Sequence, residues 1–175
     1  MDKSTALDAS PSSSPSSSSS SSTTFSSSPY DVFLSFSGED TRKTFTDHLY
    51  WTMKDASIDF FMEDSESVRR GENMTEKVKQ IIEGSRVSVI VFSSRYADSI
   101  WCLEELVQIM ECRRKVKQIV LPIFYDLSPS DSIRTFVQAF QKHRERFHEE
   151  KIERWTDALI EAVGLTVRVF RTING

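Results

Sequence analysis

Glycine is scarce. The 175 residues hold 5, at Gly38, Gly71, Gly84, Gly164 and Gly175, and no two lie close together. A P-loop and a dinucleotide-binding fingerprint both need glycines at short fixed spacings, so neither is available. No serine sits between glycines as a nucleophile elbow. A nucleotide, if this chain takes one, must be held by side chains and loop backbone. Cysteine is scarcer still. Cys102 and Cys112 fall within one helical pattern, which is neither a disulfide framework nor a metal-ligand spacing. Such usage fits a reducing compartment. His143 and His148 are five apart and share no helix face, so no metal site is expected. Neither charge dominates: 22 Lys and Arg stand against 26 Asp and Glu. No basic patch stands out, and nucleic acid is not indicated as a partner. No apolar run approaches the roughly 20 residues that cross a bilayer, so no membrane contact is expected.

From Met1 to about Ser28 the chain is almost all Ser, with Pro and Thr. It lacks the apolar core of a secretory signal. With one Lys, no Arg and no amphipathic pattern it also lacks the character of a transit peptide. This composition cannot bury enough apolar surface to order itself. Residues 1–29 are therefore expected to be a disordered tail, and residues 30–175 the folded domain.

Order begins at Tyr30. Apolar β-rich runs occur at Tyr30–Phe36, Ile58–Met62, Arg86–Ser93 and Ile119–Tyr125. Helical periodicity separates them, over Arg42–Ala56, Thr75–Glu83 and Trp101 to about Arg114. Pro122 places the fourth strand near a sheet edge. Helix is expected again from about Phe136 to His148 and from Glu150 to Val163, with a short last strand at Leu165–Phe170. Trp51 and Trp155 are expected to fill core or grooves. Strand alternating with helix predicts an α/β, flavodoxin-like fold: a parallel sheet with helices on both faces. Ligands of such sheets bind outside the carboxyl ends of the strands, where strand order reverses, here between the first and third strands. The loops there are Ser37–Asp40, which contains Gly38, and Ser94–Ile100, which contains Ser99.

The second loop feeds the segment WCLEELVQIM, Trp101 to Met110. At helical spacing Leu103, Leu106, Val107 and Met110 make the buried stripe, and Trp101, Glu105 and Gln108 fall on a neighbouring face. An aromatic and a carboxylate thus look toward the crevice together. Taken alone, solvation and a favourable charge near the helix N-terminus would account for the glutamate. A phosphoacceptor receiver is disfavoured, because Ser93 and Ser94 stand where the third strand would have to end in an acceptor Asp.

Four stretches carry a resemblance: YDVFLSFSGEDTRKTFTDHLY, RRGENM, IEGSRVSVIVFSSRYADSIWCLEELVQIMEC and QIVLPIFYDLSPSD. In this order they resemble the successive motifs of a plant TIR domain, over Tyr30 to about Val163. The resemblance implies the TIR fold, in the short TIR-only form, and cleavage of NAD to nicotinamide and ADP-ribose-type signals in immunity and cell death. NAD is then a substrate, and no cofactor is implied. The family's catalytic glutamate falls on Glu105 within Trp101-Cys102-Leu103-Glu104-Glu105-Leu106, with Glu104 its solvated neighbour. Trp101, Arg42, Gly38, Arg70 and Ser99 are implied to contact substrate, and Glu63–Gly71 to form a mobile flap. Other TIR domains are the implied protein partners, in the cytoplasm and, as a second compartment, the nucleus. Nicotinamide on NAD is already a cationic leaving group, so one carboxylate opposing the developing ribosyl charge could suffice where other glycosidases use two.

The chain also departs from the family pattern. Ser37 stands where an Arg is usual, Asp47-His48 where a Ser-His pair is usual, and Ser132–Thr135 replaces a longer stretch. The domain is further expected to be shortened at its C-terminus and to lack the family's final helix. These departures motivate the alternative, a non-catalytic TIR adaptor or decoy that associates with other TIR-domain receptors.

The composition of the first 28 residues generates one expectation directly. Limited proteolysis of the full chain should trim the Ser-rich segment and stop near Tyr30, with no loss of thermal stability in the trimmed product. A protease-resistant N-terminus would contradict it.

Overall fold

The computed structural model describes residues 29–62 and 74–173. Residues 1–28 of the expected disordered tail, the expected flap Glu63–Gly71 and Arg70 within it lie outside the described residues. Four strands form one parallel sheet in the order β2-β1-β3-β4: β1 (Val32–Phe36), β2 (Phe60–Met62), β3 (Val87–Phe92) and β4 (Ile119–Phe124). β1 and β3 are central and buried almost throughout, which is why both read as near-continuous apolar runs. Val32 lies opposite Val87 and Phe36 opposite Val91, while Val87 and Phe92 lie opposite Ile119 and Phe124. Pro122 pairs with Ile90 on an edge strand, the position at which a missing N–H is tolerated.

The helices follow the strands. α1 (Gly38–Thr41) runs through a π-helical turn, Arg42–Thr46, into α2 (Asp47–Asp55). Then come α3 (Glu76–Gly84), α4 (Ile100–Val116), α5 (Pro129–Arg144) and α6 (Glu149–Ile173). Side-chain caps set three of the starts. Thr75 accepts from Val78 N at 3.4 Å, Ser99 from Cys102 N at 3.3 Å and Ser128 from Asp131 N at 3.1 Å. The last of these explains why α5 starts at Pro129 rather than near Phe136. Ser128-Pro-Ser-Asp131 is a capping signature with Pro at the first helical position.

Phe45, Leu49 and Met53 pack against Leu34, Phe36, Val89 and Val91 on one sheet face. On the other, α3 to α6 pack over Phe33, Ile90 and Phe92, with Trp155 of α6 fully buried in that cluster. Helices therefore cover both faces, as the alternation of elements predicts. A polar clip joins three elements on the larger side. Gln118 donates to Ile82 O at 2.7 Å and Ser85 O at 2.8 Å, and accepts from Ser88 Oγ at 3.1 Å. It thereby satisfies carbonyls that the end of α3 leaves without helical partners.

Two further expectations fail. Leu165–Phe170 is not a strand, for α6 runs through it to Ile173. Ile152, Trp155, Ala158, Leu159, Ala162 and Val163 form a buried helical stripe. Once that helix exists, each added residue gains a bond without a new nucleation cost. Gly164 does not stop it, for its φ is not positive and it continues the helix. Trp51 is not a core residue either: it stands 60% exposed on α2, edge-on to Tyr50 with Lys54 over its ring. On this smaller face α2 and the helical turns that lead into it are the only helical cover among the described residues. Ile119 and Leu121, in register with Val87 and Val89, are 57% and 49% exposed.

The unequal faces predict unequal sensitivity. Trp155→Ala should lower the unfolding free energy by about 3–5 kcal/mol, because it empties a fully buried site of the larger cluster beside His143 and Phe147. Leu121→Ser should cost no more than about 1 kcal/mol. Urea unfolding followed by far-UV circular dichroism measures both, and equal losses would contradict this account of the layers.

Candidate active site at the switch point

The helices after β1 and β3 lie on opposite sheet faces, so a crevice opens at the carboxyl ends of these two strands. Gly38 opens α1 at that point, and Ser99 caps α4. The sequence pattern places Trp101 and Glu105 on one face of α4, and they do sit one turn apart. Their surroundings differ from those of a surface face. Trp101 is 3% exposed and Glu105 1% exposed, and Gln108 is buried too. α4 is covered almost all round, and solvation cannot explain this carboxylate.

An ionised carboxylate loses several kcal/mol of hydration on burial unless donors replace the water. Both oxygens have such donors. Trp101 Nε1 donates to Oε1 at 2.6 Å, from the preceding turn of the same helix. Ser35 Oγ donates to Oε2 at 2.6 Å, across 70 residues of sequence. Ser35 Oγ also lies 2.9 Å from the hydroxyl of Tyr96, which in turn lies 3.1 Å from Cys102 O. Tyr96 belongs to the 3-10 turn Tyr96–Asp98 and is fully buried. That turn is braced from α5: His143 Nε2 bonds Ala97 O at 2.8 Å, and Lys142 pairs with Asp98 at 3.4 Å. A carboxylate held at both oxygens in a low-dielectric site can oppose a positive charge without reorganising.

Glu104 is not a solvated neighbour. It is 19% exposed and pairs with Lys151 of α6 at 2.8 Å, so it ties two helices together at the rim. Ser99 Oγ is engaged as a helix cap. Arg42 lies in the π-helical turn just beyond α1, and its side chain falls outside the described residues, as Arg70 does entirely. Ser37 is 4% exposed, and its carbonyl accepts from Thr41 Oγ1 at 2.7 Å. Farther along α4, burial pushes the Cys112 thiol above its usual value, partly offset by a hydrogen bond from Gln108 at 3.6 Å. That thiol takes no part in the cluster around Glu105. Among the described residues no helix is long and apolar enough to cross a membrane, and no group of three or more His, Cys, Asp or Glu could hold a metal ion.

Sequence reasoning misses Ser35 and Tyr96. A signal exists for the first: Ser35 is a polar residue at an inward position of an otherwise apolar strand, and a buried hydroxyl needs a partner. Nothing local identifies the partner.

Comparison with known proteins identifies the family and the fold. The family described as TIR domain matches residues 29–171. TMV resistance protein N of Nicotiana glutinosa is 47% identical over 141 residues, covering 78% of this chain and 12% of that protein. Disease resistance protein RPV1 of Vitis rotundifolia is 49% identical over 140 residues, 78% of this chain and 10% of that protein. The chain thus spans only 12% and 10% of the length of these two curated relatives. Among solved structures, the TIR domains of the activated Roq1 resistosome, which directly recognises the effector XopQ, superpose with a TM-score of 0.69. They share 42% identity, over 77% of this chain and 84% of that one. With 29–171 matched, and with a parallel sheet that superposes on a solved TIR domain, this chain belongs to the TIR domain family.

Proposed function

We propose that this chain cleaves NAD to nicotinamide and ADP-ribose-type products, with Glu105 as the catalytic carboxylate. The signal so made would serve plant immune signalling, in the cytoplasm or nucleus and in association with other TIR domains. The observation that supports this most is the fixed, buried Glu105 at the crevice between β1 and β3, with a protein donor on each oxygen. Nicotinamide departs as a neutral molecule from a cationic glycosidic nitrogen, so its leaving needs no acid. The ribosyl carbon gains positive charge as the bond breaks, and a preorganised carboxylate stabilises that charge before water attacks. Trp101 serves here as donor and wall. The relatives' names place similar domains in disease resistance proteins and a resistosome, which supports immune signalling and association between TIR domains.

A second reading has its own observations. Glu105 is 1% exposed with both oxygens engaged, and Ser37 supplies no cation where the family has one. A TIR domain that only associates with other TIR domains would carry the same carboxylate as a structural tie between α4 and β1.

Nicotinamide release from NAD by the purified full chain, alone and crowded, separates the two. Glu105→Gln can still accept from Trp101 and donate to Ser35, so the fold should hold while turnover falls by about a hundredfold or more. Glu105→Ala should lose turnover and also about 1–3 kcal/mol of stability, because it strands a buried indole N–H. Glu104→Ala should keep turnover and lose at most about 1 kcal/mol with its bridge to Lys151. No turnover by the unmodified chain under any of these conditions would establish the associating module instead.

A further inference from the structure

Three short contacts run in series behind Glu105. Oε2 lies 2.6 Å from Ser35 Oγ, Ser35 Oγ lies 2.9 Å from the Tyr96 hydroxyl, and that hydroxyl lies 3.1 Å from Cys102 O. A carboxylate and a carbonyl at the two ends have no proton to give. Each hydroxyl between them has one, so two protons must serve three contacts. The charge-assisted bond to Glu105 is the shortest and strongest, and it takes the Ser35 proton. Ser35 Oγ is then left as an acceptor facing Tyr96. The Tyr96 proton must choose between Ser35 Oγ and Cys102 O. Turned to Ser35 it completes a one-way chain, Tyr96 to Ser35 to Glu105, in which each bond polarises the next. Turned to Cys102 it leaves two oxygens in lone-pair contact.

We propose that Tyr96 is a positioning residue that acts on Glu105 through Ser35: its hydroxyl donates to Ser35 Oγ and so polarises and orients the serine bond to Oε2. The tyrosine is built for this. It is fully buried, its ring packs edge-on to Phe92 with centroids 4.9 Å apart, and its turn is tied to α5 through Ala97 and His143. Ser35 sits on a central strand paired on both sides. Without the tyrosine proton the serine still donates to Oε2, but through a bond that nothing polarises, while Oε1 keeps its bond to Trp101.

The consequence for rate rests on the proposed NAD cleavage, whereas the chain of donors does not, and the experiment separates the two. The full chain and its Tyr96→Phe, Ser35→Ala and double variants are compared in two ways at one neutral pH. The first readout is the Trp101 indole 1H–15N resonance, which senses the carboxylate from its Oε1 side and needs no turnover. Tyr96→Phe should move it, and the same change in the Ser35→Ala background should not, because the chain is already cut. The second readout is nicotinamide release. Tyr96→Phe should lower kcat about fivefold to tenfold with KM nearly unchanged, the worth of one neutral hydrogen bond felt mainly in the transition state. The double variant should be no slower than Ser35→Ala alone. An unmoved resonance in Tyr96→Phe overturns the proposal. So does an equal shift in both backgrounds, which would mark Tyr96 as a packing residue only. If the unmodified chain releases no nicotinamide, NAD cleavage falls and the resonance cycle alone decides this proposal.

Discussion

The site hangs on the burial of one carboxylate. Glu105 sits in the interior because an indole N–H and a serine hydroxyl reach its two oxygens from different elements. Each donor imposes a constraint. Trp101 must lie one helical turn before Glu105 on α4, which its sequence position ensures. Ser35 must face α4 from β1, which depends on strand register. Phe33 packs on the α4 side of the sheet, and Leu34 and Phe36 on the α2 side. A one-residue slip would bring Leu34 or Phe36 to Glu105 in place of a hydroxyl. The pairing of Val32 with Val87 through Phe36 with Val91 holds that register, and the crossover that lays α4 beside β1 brings the two halves together.

The same strand divides the core. Its alternation feeds a large cluster beneath α3 to α6 and a small one beneath α2. The large cluster supports the site from behind, through Tyr96 and the α5 residues that brace its turn. The small cluster supports the mouth, through the helical segment that starts at Gly38. Sheet and site are therefore not separable layers. The polar residues on β1 and in the turn after β3 are the points at which the core becomes the site.

Much of this is legible from local pattern. Four apolar runs, three helical stripes and Pro122 suffice for the sheet and its edge, because period and ring chemistry act over a few residues. The pairing of Trp101 with Glu105 follows from spacing alone. What local pattern cannot carry is depth. The same spacing reads as a solvent-facing stripe or a buried one depending on what packs against it, and Glu105 is the second kind. Glu104 goes the same way, since its partner Lys151 arrives from a helix far along the chain. Leu165–Phe170 misleads for a related reason. β-branched alternation favours a strand in isolation, but the stripe from Ile152 to Val163 has already committed the segment to a helix. Ser35 is visible as an oddity in an apolar strand, and its meaning appears only when Tyr96 and Glu105 are brought beside it.

The two readings of Glu105 make different demands on the fold. As a structural tie the carboxylate is a poor choice, for apolar residues of similar volume hold buried elements together as well or better. α4 needs no such tie. Leu103, Leu106, Ile109 and Met110 are fully buried along it, and Glu104 with Lys151 already clips it to α6 at the rim. The most elaborate satisfaction of polar groups around α4 thus falls where packing needs it least. Proteins break local rules in this way chiefly where a site requires it. A carboxylate held ready at the carboxyl end of two central strands is such a requirement, and this mismatch between structural need and polar provision is what most favours the catalytic reading over the associating one.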